Sequence, residues 1–340
     1  MNKSIPASRD CLREPPFVYR SLMHGCHIFT LPVYLATLIF LYREPSKAFR
    51  TYKYYIIVHI LINIFSELYV SHFMLPDTNL PFKTLRTTGL MAQWGFSGLI
   101  QFYLLAQFIT WTGGSIIEMF YYRFKVCVLQ FENRCFSKVL KFQVNFYRFT
   151  MCLHPLIVAV TFNTSLGEVD EARKKLWASE PNVQPEVTCY SVMLTVYDSY
   201  IFWFAISYYM VQISNCALGS FETLLYISNF IRKSVIISKA TERLQKMLIL
   251  SLFIQTTVHG LMILSPTLVV MYAVFFDLTM DDFARFMLVV FANHGFFSTC
   301  AMILFTKPLR DKMLPCIRMT RPAATTPIVQ ASTTVENSNR

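Results

Sequence analysis

The chain has 340 residues, of which 54% are hydrophobic and only 15% charged, with a net charge of +11. So little charge cannot cover a water-soluble globule, which excludes an ordinary soluble domain. The nine cysteines show no CxxC or metal-ligand spacing, so no metal or other cofactor is expected.

In chain order, a polar segment at 1–17 precedes seven long apolar stretches, at about 18–42, 53–75, 95–120, 142–163, 199–229, 246–276 and 283–306. Each is long enough to cross a hydrocarbon core, which takes about 20 apolar residues. Residues 1–17 lack an apolar core of their own, so no cleavable signal peptide is read there. The first stretch is expected to serve as an uncleaved signal anchor. Lysines and arginines fix the orientation, because basic residues stay on the cytoplasmic side. The first, third and fifth connections and the tail carry 20 of them, and the opposite side carries 8. The expected fold is an all-α seven-transmembrane helix bundle over 18–306, with the N-terminus outside and the C-terminus cytoplasmic. Sorted in this way, the positive charge points to anionic lipid headgroups and not to nucleic acid.

Ionisable side chains inside a membrane are costly and tend to mark function. Arg20, His24, His72, Asp198 and Arg285 fall toward the outer half of their spans, with Trp94, Gln101, Tyr197 and Tyr200. Together they can line a pocket open to the exterior; singly, each also fits interface snorkelling or a helix–helix hydrogen bond. Glu67, His259, Asn293 and His294 lie near mid-depth, where a polar cluster can couple a pocket to helix movement or simply join helices. Glu118 and Arg123 stand at the cytoplasmic end of the third span as candidate switch residues, although five residues apart they do not share a helix face. Pro32, Pro155 and Pro266 are expected to kink their spans. Gly113-Gly114 reads as a close-packing signal. No HExxH, GxSxG or P-loop occurs, and no enzyme is expected.

On this topology Cys11 and Cys189 face an oxidising exterior and can pair; two free thiols fit equally. Asn2-Lys3-Ser4 and Asn163-Thr164-Ser165 are sequons on the outer side, Asn2 being the candidate acceptor. Past the last span, Pro308 suits the first turn of a new helix. Residues 307–319 are expected to form a short amphipathic helix along the membrane, with Cys316 a candidate for palmitoylation. The Thr-, Ser- and Pro-rich 320–340 is expected to be a disordered tail.

Two strings in the second half carry a family resemblance. SKATERLQKMLILSLFIQ, from Ser238, has the pattern S-x-x-T-x-x-L-Q-K on Ser238, Thr241, Leu244, Gln245 and Lys246, followed by Gln255 and Pro266. NHGFFSTCAMILFTKPLR carries His294, Gly295, Ser298, Thr299, Lys307, Pro308 and Arg310. Both resemble nematode serpentine chemoreceptors of class H, with class I as neighbour. IIEMFYYR resembles that family's L-F-E-N-R string and keeps Arg123, and His24-Gly25 matches an HG pair. The resemblance covers roughly residues 15–315. Tyr121-Tyr122 replace the acid-Asn pair, Leu309 replaces a Tyr, and His259 stands where a proline is usual. The resemblance implies a G-protein-coupled chemosensory receptor at the plasma membrane of ciliated sensory neurons.

The function so expected is a receptor that binds a small molecule in the outer half of the bundle and signals through a heterotrimeric G protein. A transporter or ligand-gated channel is the rival class. Transporters show paired halves, and none is visible here; an odorant channel with its N-terminus inside runs against the charge count. Tags at the two ends, stained with and without permeabilisation, check the orientation. The N-terminal tag should be visible on intact cells and the C-terminal tag only after permeabilisation; a C-terminal tag visible on intact cells would contradict it.

Overall fold

The structure is a computed structural model that describes residues 14–43, 51–79, 84–127, 134–179, 189–194, 200–233, 239–276 and 278–313. Helices occupy all seven apolar stretches. The first span is two helices, α1 (Phe17–Gly25) and α2 (His27–Arg43), joined at Cys26. The second is α3 (Tyr52–Leu68), continued by a π-helical segment Tyr69–Met74. After a short α4 (Leu90–Gln93) come α5 (Gly98–Cys127), α6 (Arg134–Ser179), α7 (Tyr200–Lys233) and α8 (Lys239–Phe275). The last span is α9 (Asp281–Ala292) and α10 (His294–Phe305), bent by 47° where they meet. A seven-residue helix α11 (Lys307–Met313) follows. The expected amphipathic helix is thus described as far as Met313; residues 314–340, with Cys316, lie outside the described residues.

By length and apolar composition, three described helical segments can each cross a membrane, Phe17–Arg43, Tyr52–Met74 and Gln245–Val270, and the bent α9–α10 pair makes a fourth. The others carry more polar side chains, and these face inward. Gln101, Gln107, Thr110, Thr112 and Ser115 of α5 are buried, while Phe142, Phe149, Trp203, Phe204 and Leu261 are exposed. Polar inside and apolar outside is the reverse of a soluble protein and suits a bundle whose solvent is lipid. Threonine hydroxyls at 37, 110 and 161 bond back to carbonyls one turn earlier, so they need no water.

α2, α6 and α8 run as helix through Pro32, Pro155 and Pro266, while the last span breaks at Asn293. A helix can lose one bond at proline when neighbouring helices exclude water and hold it. Further, α6 has 46 residues, roughly 69 Å at 1.5 Å per residue, against a hydrocarbon core of about 30 Å. Glu168, Asp170, Glu171 and Arg173 therefore sit on an outer extension of this helix rather than in a loop. Asn163 is mid-helix, not at a helix end. α5 and α6 approach along Gly113 and Gly114, where an added Cβ would come within 2.7 Å of Tyr147 Oη or 2.6 Å of Met151 Sδ.

The ends of the bundle that the charge count assigns to the outside, called outer from here on, are roofed by an antiparallel sheet, β1 (Pro76–Asn79), β2 (Thr84–Thr87) and β3 (Val192–Leu194), in the order β1-β2-β3. Asp77 pairs with Arg86 across the ladder, and Arg86 Nη2 donates to Asp77 Oδ2 at 2.9 Å. The other oxygen of Asp77 accepts from Arg285 Nε of α9 at 2.8 Å. Tyr19 of α1 donates to the carbonyl of Pro76, and Tyr190 to that of Ala92 at 2.6 Å. Arg173 of the α6 extension bonds Asp170 at 2.8 Å and the carbonyl of Val192; burial lowers its guanidinium below the ordinary value, against the pull of Asp170. The roof is thereby tied to the first, fourth and last spans.

Two apolar cores lie beneath. The outer one joins Tyr19, Met23, Tyr69, Val70, Met91, Leu288 and Phe291. The inner one joins Tyr34, Ile56, Ile60, Met119, Leu252, Met302 and Leu309. A polar layer separates them.

Asp77 is 7% exposed and serves two arginines, whereas Asp282, the other partner of Arg285, is fully exposed. Asp77→Ala should cost about 3 kcal/mol of stability, because it takes the buried carboxylate from Arg86 and leaves Arg285 only the exposed Asp282. Asp282→Ala should leave the thermal midpoint of the purified protein unchanged. Equal midpoints for the two variants would contradict the role given to Asp77.

Candidate functional site

The outer site is built where α1 and α2 meet the π-helical segment. His24 and His27 are three residues apart, one helical turn, and both meet the second span. The wider π turn brings Ser71 and His72 opposite them; it ends at Leu75, a buried residue in the left-handed region at φ 41°. His24 Nδ1 and His72 Nδ1 share a hydrogen bond of 2.8 Å. His72 stacks on both neighbours, its centroid 4.5 Å from His24 and 4.9 Å from His27. Ser71 donates to the carbonyl of Glu67 at 2.6 Å and so accepts from His27 Nε2. Arg20, half-exposed, pairs with Glu14.

Of the side chains expected to line an outer pocket, the structure gathers His24 and His72 and places Arg20 one turn above them. It locks Arg285 into the roof with Asp77. Gln101 is fully buried, its Nε2 bonded to the carbonyl of Phe96 at 3.0 Å, while its backbone carbonyl accepts from Tyr69 at 2.7 Å. Trp94 is 62% exposed and meets Phe73 edge-on. Tyr200 is 76% exposed, and Tyr197 and Asp198 lie outside the described residues. His27 and Ser71 are the members missed; the turn spacing of His24 and His27 was the available signal.

One turn below Ser71, the layer between the cores is a network. Glu67 Oε1 accepts from Tyr34 Oη at 2.7 Å and from the backbone N–H of Phe296 at 2.7 Å. That N–H is at the third position of α10, where orphan donors need an acceptor. Asn293 occupies the cap position but donates back to the carbonyl of Val289 at 2.8 Å, so the cap comes from another helix. On the other side of the break, His294 Nδ1 bonds the carbonyl of Phe291 at 2.7 Å. His59 bonds Ser115 at 2.7 Å and Asn63 at 3.2 Å. His259 packs between His59 and His294, with centroids 5.5 and 4.6 Å away. Both ring nitrogens of His259 lack a hydrogen-bond partner among the described residues. The mid-depth group Glu67, His259, Asn293 and His294 is therefore assembled in one place. Among the described residues, no group of His, Cys, Asp or Glu is arranged to hold a metal ion.

Glu118 and Arg123 do not meet. Glu118 takes a two-bond ion pair with Arg148 of α6, at 2.6 and 2.8 Å. Arg123 is 3% exposed and stacks over Tyr52, its Cζ 3.5 Å from the ring centroid. Its Nε and Nη2 have no hydrogen-bond partner among the described residues. The physical reason is the five-residue spacing, which turns the two side chains to different faces. Cys189 is disulfide-bonded and buried beside Val192; Cys11 and Asn2 lie outside the described residues.

Among known proteins, the family model of the serpentine type 7TM GPCR chemoreceptor Srh matches residues 14–319. No curated protein and no solved structure matches the chain.

Gly295 checks the packing of the polar layer. A Cβ there would fall 2.6 Å from Asn63 Cβ and 2.7 Å from Tyr34 Oη. Gly295→Ala should cost about 1–3 kcal/mol by overpacking and lower the thermal midpoint and the surface yield. Gly25→Ala, with nothing within 4 Å of its Cβ, should change neither; an unaltered Gly295→Ala protein would refute the close fit.

Proposed function

We propose that this chain, which belongs to the serpentine type 7TM GPCR chemoreceptor Srh family, binds a small polar molecule at the imidazole cluster in its outer half and relays binding to a heterotrimeric G protein. The observation that carries the reading is a continuous path. His27 bonds Ser71, Ser71 bonds the carbonyl of Glu67, and the carboxylate of Glu67 holds the start of α10. A ligand that takes over hydrogen bonds of His24, His27 or His72 would thus act one turn from the group that holds the bent last span. Neutral imidazoles both donate and accept, so the ligand class is an uncharged or anionic small molecule with hydrogen-bonding groups and an apolar body for Tyr19, Met23 and Phe291.

Coupling needs differential affinity of the ligand for two arrangements of the helices. The broken span supplies two rigid halves, α9 under the roof and α10 against the inner core. On the inner side the partner would meet Arg123 and the basic connections flanking α5, α7 and α8. Residence in the plasma membrane, and in sensory cilia, belongs to the same reading. The Cys11–Cys189 bridge would tether the N-terminal segment over the roof.

A cell-based second-messenger assay, run on surface-expressed protein with small molecules of graded hydrogen-bonding capacity, tests this. For an active compound, His72→Ala should raise the half-maximal concentration by about tenfold, the worth of one hydrogen bond. Glu67→Gln should lower the maximal response at unchanged surface level. A compound whose potency ignores both His24→Ala and His72→Ala binds elsewhere, and the outer-site reading fails.

A further inference from the structure

The inner ends of the first span and of α11 enclose a groove of about 550 Å³ lined by Ala36, Ile39, Phe40, Arg43, Lys312 and Met313. That size is within the range of small-ligand and lipid sites. We infer that this groove is a binding site for one anionic phospholipid, its headgroup held between Arg43 and Lys312 and its acyl chain laid along Ala36, Ile39, Phe40 and Met313.

Charge complementarity selects the occupant. The two cations come from different helices and stand at the same mouth, and the other described lining residues are apolar. Lys312 Nζ lies 5.1 Å from the centre of the Phe40 ring, so a charged rim continues directly into an apolar wall. Ile39 is 53% and Tyr42 80% exposed, which places this wall toward hydrocarbon and its edge at the interface, where aromatic residues gather. The groove is fixed rather than incidental. Leu309 is fully buried in the inner core, the N–H groups of Leu309 and Arg310 cap onto Thr306, and Thr306 bonds Ser251 of α8 at 2.8 Å. α11 is thereby clamped beside α2, and a lipid seated between them would bridge the two. Basic pockets between helices at a cytoplasmic face bind anionic headgroups by the same electrostatics.

The full chain, purified in detergent, can be titrated with phosphatidylserine and with phosphatidylcholine under native mass spectrometry. Phosphatidylserine should be retained in preference to phosphatidylcholine. Arg43→Gln/Lys312→Gln should weaken that retention by roughly 10- to 30-fold. Lys138→Gln/Lys141→Gln, an equal loss of charge from the exposed inner end of α6, should leave it unchanged. Equal retention by wild type and the groove variant overturns the site, as does an equal loss in the control pair or equal binding of phosphatidylcholine. Should the groove variant fail to fold, a phosphatidylserine with a photoreactive acyl chain decides on the wild-type protein. Labelling within 36–43 and 307–313 supports the site, and labelling confined to other segments overturns it.

Discussion

A helix broken inside a membrane leaves backbone donors and acceptors with no water to satisfy them, at several kcal/mol for each unmet group. The last span is broken at Asn293, and side chains from both sides make good the loss. Glu67 accepts the N–H of Phe296 at the start of α10, and His294 bonds the carbonyl of Phe291 at the end of α9. Because Glu67 comes from a different span, the bend also fixes how α3 and α10 sit against each other. Gly295 must then be a glycine for Asn63 and Tyr34 to come as close as they do. The polar layer and the placing of the two apolar cores follow from that one carboxylate.

The same rule shapes the outer end. A sheet roof carries open backbone edges, which hydrocarbon does not tolerate, so it must sit above the membrane and be pinned there. Asp77 does the pinning with two arginines from different elements. Asp77 and Arg285 are consequently structural partners. The side chains left facing one another beneath the roof are the imidazoles of His24, His27 and His72, set by the one-turn spacing on the first span and by the π turn on the second.

The apolar runs, their number and their order were legible in the sequence, because the length of a membrane span is imposed by the bilayer. So was the mid-depth polar group, since buried ionisable residues stand out against an apolar background. The positions of the breaks were not. Proline is the local signal for a break, yet α2, α6 and α8 pass through theirs as helix, while the break at Asn293 is held by Glu67, which takes the N–H of Phe296, 229 residues away in sequence. The roof was hidden for a similar reason: its strands are three or four residues long, and β3 pairs with β2 across about a hundred residues. Arg285, placed by depth alone, shows the same limit: it faces Asp77 of β1 rather than an open pocket. Glu118 and Arg123 part as their five-residue spacing implies, and Glu118 finds its partner, Arg148, on another helix.

Arg123 shows where the inner half differs from the outer. Glu118 and Arg148 satisfy each other through two short bonds at a partly exposed surface, and such a pair needs nothing further. Arg123 is buried deeper, with Tyr52 as its stacking partner. A desolvated cation–π contact is worth about 2 kcal/mol, whereas burying an unpaired cation costs several. The arrangement is held by the surrounding inner core, in which Tyr52 and Met119 pack, and not by Arg123 itself. A conformation that offered acceptors to Nε and Nη2 would therefore be favoured by the difference. In the proposed coupling, a rearrangement of α10 reaches this side chain through the same inner core, which contains Met302 as well as Tyr52. On that proposal, the free energy that a cytoplasmic partner would draw on is the part of the burial cost that Tyr52 leaves uncompensated.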